Sequence, residues 1–118
     1  MIPTKKKDFP EFWKVFICWR TGIKSWEKSA DMILKRDKSN QLITGIVNLL
    51  RKRISPSDAV PLIDELPYQD KPLMAIMVAE VYYREGKIYN SELFFKQALH
   101  YSPPNIYIQL AKFLKKNK

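Results

Sequence analysis

The chain has 118 residues, 46% of them apolar and 28% charged, with 21 Lys+Arg against 12 Asp+Glu and a formal net charge of +9. That length supports one domain with one modest core, and the composition lies outside the low-hydrophobicity, high-charge regime of disordered chains. Only three glycines occur, and β-branched runs bounded by turn signals are missing, which disfavours sandwiches, barrels and Gly-rich phosphate-binding loops. An all-α domain is the expectation.

Residues 1–7 read as a basic arm around Lys5-Lys6-Lys7, and residues 8–118 as a single helical domain. Asp8 caps a first helix, with Pro10 tolerated and Glu11 favoured in its first turn. Phe9, Phe12, Trp13, Phe16 and Ile17 recur at helical spacing, while Val15 and Trp19 widen the apolar surface beyond one stripe. Thr21-Gly22 breaks this helix. A second spans residues 23–36, with Trp26, Ala30, Ile33 and Leu34 on one face. After Asp37-Lys38-Ser39, a third helix carries Leu42, Ile43, Ile46, Val47, Leu49 and Leu50 and ends in Arg51-Lys52-Arg53, cations that suit the helix dipole. Ser55-Pro56-Ser57-Asp58 is a helix-start signal, with Ser as cap, Pro at the first helical position and Asp standing in for the usual Glu. The fourth helix carries Ala59, Val60, Leu62, Ile63 and Leu66 and stops at Pro67. Pro72 opens a fifth with Ala75, Val78, Ala79 and Tyr82 on one face, and Gly86 supplies its positive-φ stop. The sixth, residues 89–101, carries Ser91, Phe94, Phe95, Ala98 and Leu99 up to Ser102-Pro103-Pro104. Asn105 caps a seventh, with Ile106, Ile108, Leu110, Ala111 and Leu114.

Chemistry-bearing motifs are scarce. No stretch approaches the roughly 18 apolar residues of a membrane span, and Asp8, Pro10, Glu11 and Lys14 interrupt any apolar signal-peptide core, so a cytoplasmic location is expected. Cys18 is the only cysteine; its neighbours Ile17 and Trp19 predict a buried small hydrophobe. His100 has no second ligand at metal-binding spacing, and nucleophile-elbow, Walker and dinucleotide-binding patterns do not occur. The expectation is a non-enzymatic protein without a cofactor.

Residues 71–104 carry an internal pattern. Val78, Ala79, Tyr82, Gly86, Ser91, Phe95, Ala98 and Pro103 sit where a tetratricopeptide repeat places a large residue, a small one, Tyr, a Gly turn, a small one, an aromatic, Ala and Pro. Small residues at 79, 91 and 98 let two antiparallel helices approach, and Tyr82 and Phe95 fill the space beside them. This segment resembles a tetratricopeptide repeat. Residues 40–70 give a weaker copy through Ile43, Ile46, Val47, Leu50, Ala59, Ile63 and Leu66, with Ile54-Ser55 replacing the Gly turn; the first two helices suit a degenerate third unit. The resemblance implies a right-handed superhelix of about three helical hairpins with a C-terminal capping helix. Its concave face, lined by the first helix of each pair, would bind an extended peptide or a helix. That face would present Gln41, Thr44, Asn48, Arg51 and Lys52 in one unit and Leu73, Ile76, Glu80, Tyr83 and Arg84 in the next.

The order of Thr21-Gly22, Trp26-Glu27-Lys28-Ser29-Ala30-Asp31, Ser57-Asp58-Ala59, Leu66-Pro67-Tyr68, Pro72-Leu73, and Ala79-Glu80-Val81-Tyr82-Tyr83-Arg84-Glu85-Gly86 is similar to that of the small cytoplasmic chaperones of bacterial type III secretion needle subunits. The resemblance implies a heterotrimer. The amphipathic C-terminal helix of the needle subunit would lie in the groove, with Leu73, Ile76 and Tyr83 as anchors, and a small helical co-chaperone would dock on Phe12, Trp13, Phe16 and Trp19. Sequestration would keep the subunit from polymerising.

Charge opens other readings. Residues 1–53 hold 13 basic and 5 acidic side chains, net +8, whereas residues 54–118 hold 8 and 7, net +1. An acidic partner on the N-terminal half is one explanation. Nucleic-acid binding through Lys5-Lys6-Lys7 and Arg51-Lys52-Arg53 is another, although the helix that would enter a groove, residues 42–50, is mostly apolar. A tetratricopeptide adaptor for a different protein partner remains the closest alternative.

Overall fold

Three of the described helices end at a left-handed residue and a fourth at an extended one, and these turns shape the architecture. The computed structural model describes residues 8–24 and 26–101, and for residues 8–13 the backbone alone. The basic arm of residues 1–7, the seventh helix and Pro103 lie outside the described residues. Within them the chain is all-helical: α1 (Asp8–Thr21), α2 (Trp26–Arg36), α3 (Gln41–Leu50), α4 (Pro56–Glu65), a short 3-10 turn (Tyr68–Asp70), α5 (Lys71–Arg84) and α6 (Ile88–His100).

The ends of α1, α3 and α5 share one geometry. Gly22 (φ 85°), Lys52 (φ 64°) and Gly86 (φ 80°) are left-handed. In each case the next residue's N–H reaches back to a carbonyl five residues earlier: Ile23 to Cys18 at 2.9 Å, Arg53 to Asn48 at 2.8 Å, and Lys87 to Tyr82 at 2.9 Å. This is the Schellman closure, which satisfies carbonyls left over at a helix end. Two expectations are corrected here. The second helix starts at Trp26 rather than residue 23, because the closure draws Gly22 and Ile23 into the turn. The weaker repeat copy does not replace its left-handed turn with Ile54-Ser55; Lys52 occupies that conformation, in spite of its Cβ.

Two helix starts carry side-chain caps. The Asn40 side chain accepts the Ile43 N–H at 3.1 Å and caps α3. At α4, Asp58 N–H donates to Ser55 Oγ at 3.1 Å while Ser55 N–H donates to Asp58 Oδ2 at 3.2 Å, completing the predicted reciprocal cap. The end of α4 is held by Lys71, whose Nζ donates to the Ile63 and Asp64 carbonyls, both at 2.8 Å. A cation satisfying the last carbonyls also suits the negative end of the helix.

Consecutive helices pack on each other along the chain, and α5 packs on α3 as well as on α4 and α6. Position, more than pattern, therefore decides α5. Instead of one apolar face, it is buried around its whole circumference from Pro72 to Tyr82. Between α5 and α6, Ala79, Ser91 and Ala98 are fully buried and Phe95 fills the gap beside them. Tyr82 stacks on Phe94 with ring centroids 5.8 Å apart. Among the described residues no helix is long and apolar enough to cross a membrane.

Candidate functional site

The hairpin of α3 and α4 closes less completely than that of α5 and α6. Gln41, Thr44, Gly45 and Asn48 recur along one face of α3 at the spacing of helical neighbours. Across from them stand Ile54 and, on α4 and its end, Leu62, Glu65 and Leu66. Together with Lys38 these residues line a groove of about 270 Å3. Ile54, Leu62 and Leu66 make its surface apolar, while Lys38, Gln41, Asn48 and Glu65 supply polar groups around them. The Thr44 hydroxyl is turned to the backbone and donates to the Lys38 carbonyl at 3.3 Å.

Gly45 explains how α5 fits behind this groove. A Cβ built there would stand 2.6 Å from Met74 Cε and 3.5 Å from Leu62 Cδ1. The α5 methionine therefore occupies the space that any other residue at 45 would claim, and α3 and α5 approach through it.

The face of α5 predicted to line an open groove is not open. Leu73 and Ile76 are 0% exposed and Glu80 is 1% exposed, so these three belong to the core. The Arg20 Nε of α1 donates to Glu80 Oε1 at 2.8 Å. The other carboxylate oxygen, Oε2, is buried without a hydrogen-bond partner. Beside this pair the Arg84 guanidinium lies 5.4 Å from the centroid of Trp19, and Tyr83 is half-buried. Of the predicted groove residues, Thr44 and Asn48 line a groove between α3 and α4, Leu73, Ile76 and Glu80 are internal, Tyr83 is half-buried, and Arg84 sits against Trp19 of α1. Trp19, Lys52 and Arg84 also line a smaller pocket of about 180 Å3.

The predicted aromatic surface of α1 is reduced in the same way. Phe16 is 3% exposed and belongs to the core; its ring stacks on Trp19 at 5.9 Å. Trp19 is half-buried. Side chains of Phe12 and Trp13 lie outside the described residues. Cys18, predicted buried, is half-buried instead, and His100 is exposed at the end of α6.

Two cations of the Arg51-Lys52-Arg53 cluster have acidic partners on α2. Arg51 meets Glu27 Oε2 and Asp31 Oδ2, each at 3.2 Å, and Arg53 meets Asp31 Oδ1 at 3.2 Å. The Arg51 guanidinium also lies 5.9 Å from the centroid of Trp26. Among the described residues no group of three or more His, Cys, Asp and Glu side chains is placed to hold a metal ion. Burial raises the Asp70 carboxyl above its ordinary value.

Chemically, the α3–α4 groove can receive apolar side chains while its amides bind a backbone or polar neighbour. Sequence reasoning set Gln41, Thr44 and Asn48 with Arg51 and Lys52 on a face shared with α5. Instead the first three stand against α4, Arg51 pairs with α2 and Lys52 lines the smaller pocket with Trp19 and Arg84. The same reasoning missed Leu62, Leu66 and Ile54, whose spacing reads as ordinary core. It also missed Arg20 with Glu80, a contact between residues sixty apart that no local signal announces. No protein-family model, curated protein or solved structure matches the chain.

Proposed function

We propose that the chain is a non-enzymatic, tetratricopeptide-like helical array that holds an amphipathic helix of a protein partner. The groove between α3 and α4, with Ile54, Leu62 and Leu66 inside and the Gln41 and Asn48 amides beside them, carries this reading. An apolar groove edged by amides suits a helix that offers apolar residues at i, i+3, i+4 and i+7. Further support is the repetition of one left-handed helix ending at Gly22, Lys52 and Gly86, as expected of three successive hairpins built on one plan.

The specific occupant proposed is the needle-filament subunit of a bacterial type III secretion system, held in the cytoplasm with a small helical co-chaperone as a heterotrimer. That assignment rests on the order of motifs along the chain. Its test is co-expression of the tagged chain with its neighbouring reading frames, followed by mass measurement of what elutes. Two small helical proteins in equal amounts support it, provided Thr44→Trp, which fills the groove from its edge, releases the larger of them while melting like the parent. Elution with a different protein points to an adaptor, elution with nucleic acid to a charge-driven role, and elution alone overturns the proposal.

A further inference from the structure

Part of the positive charge of the N-terminal half lies along α2. On α2, Trp26, Ala30, Ile33 and Leu34 face the core. Glu27 and Asp31 flank that face on the side of α3, where Arg51 and Arg53 engage them. The acids of α2 are thus paired with cations of the same chain at the surface. What remains along the outward line of the helix is Lys28, Met32 and Lys35, at the i, i+4, i+7 spacing that aligns side chains on one face, with Arg36 and Ser29 beside them. Both lysines are exposed, and Met32 is 65% exposed. Ser29, Met32, Lys35 and Arg36 line a shallow depression. Among the described residues the main packing neighbours of α2 are α1 and α3, and the exposure of Lys28, Met32 and Lys35 sets this ridge outward.

We infer that the ridge is a docking surface for an acidic segment of a protein partner, which sets carboxylates against Lys28 and Lys35 and an apolar side chain against Met32. An adaptable apolar centre within a charged margin is the anatomy of a protein interface, and opposed charge supplies steering and alignment. One exposed methionine is too little apolar surface for a helix lying in a membrane. A phosphate backbone would use the lysines and leave the methionine idle. The ridge is separate from the α3–α4 groove, so the inference stands or falls independently of what that groove holds.

The experiment places a photo-crosslinking amino acid at Met32 of the full chain in its own cells and sequences the adducts. The expected product is a protein adduct whose crosslinked peptide has an excess of Asp and Glu and contains an apolar residue. Its yield should fall at least about tenfold in Lys28→Glu/Lys35→Glu, which reverses the charge of the ridge, while thermal melting stays unchanged. Lys28→Gln/Lys35→Gln, which removes charge without reversing it, should give an intermediate loss and serves as the second variant if the first misfolds. Adducts to nucleic acid or lipid, peptides without acidic excess, yields insensitive to both variants, or no adduct overturn the inference. A second crosslinker at Thr44 reports on the groove separately.

Discussion

The two C-terminal hairpins of the described fold end their first helices with the same left-handed closure and pack differently. In α5–α6, small residues at 79, 91 and 98 bring the helices together, Phe95 closes the space between them, and glycine makes the turn. In α3–α4, the helices stand far enough apart to leave a lined groove, and a lysine makes the turn. The first hairpin is built for packing density. The second gives up apolar contact along one side and keeps amides there instead, the feature on which the proposed partner site rests.

That contrast can be tested by truncation. Phe95→Ala should destabilise the protein by about 3–5 kcal/mol, because a fully buried ring leaves a cavity that its neighbours cannot fill. Leu62→Ala should cost well under half of that, since one side of Leu62 already faces the groove. Urea unfolding of the two variants compares them, and equal losses would mean that the α3–α4 hairpin is as closed as its neighbour. The turns provide the next comparison. Gly86→Ala should lose about 1–2 kcal/mol, whereas Lys52→Gly should gain about 1 kcal/mol, because a Cβ is strained at positive φ. If Lys52→Gly loses stability instead, the left-handed lysine has a role beyond the turn.

Helix starts sharpen the comparison at smaller scale. Ser55→Ala removes the reciprocal cap of α4 and should cost about 1 kcal/mol by the same unfolding assay. At the start of α5, Asp70 makes no side-chain capping bond, and burial raises its carboxyl above the ordinary value. A raised folded-state value means that ionisation is harder in the folded protein than in the unfolded chain. The native state therefore carries no penalty from this group below the ordinary carboxylate range and loses stability as pH rises through the raised value. Asp70→Asn should give a small gain near neutral pH that vanishes in acid, measured as melting temperature against pH.

Local chemistry was legible in the sequence wherever it acts over a few residues. The Ser55–Asp58 cap, the Gly86 stop and the small positions of α5–α6 all appear as predicted, because each is a contact within a turn or between adjacent helices. The candidate site was legible only in part. Thr44 and Asn48 line a groove with α4 rather than the predicted face shared with α5, and Leu73, Ile76 and Glu80 lie in the core instead of on a predicted surface. Periodicity says which residues share a face; it does not say how many elements will pack around the helix that carries them. Lys52 escaped for the opposite reason, since nothing in a lysine's chemistry advertises a left-handed backbone.

The pair of Arg20 and Glu80 has a consequence in time as well as in space. Among the described residues most packing joins helices adjacent in sequence, so early contacts close short loops at little entropic cost. The Arg20–Glu80 link closes a sixty-residue loop and strands a buried carboxylate if it is missing. Such a contact belongs late in folding, after the hairpins have formed. In stopped-flow kinetics Arg20→Met should leave the refolding rate nearly unchanged and accelerate unfolding, which makes this single ion pair a determinant of how long the folded chain persists.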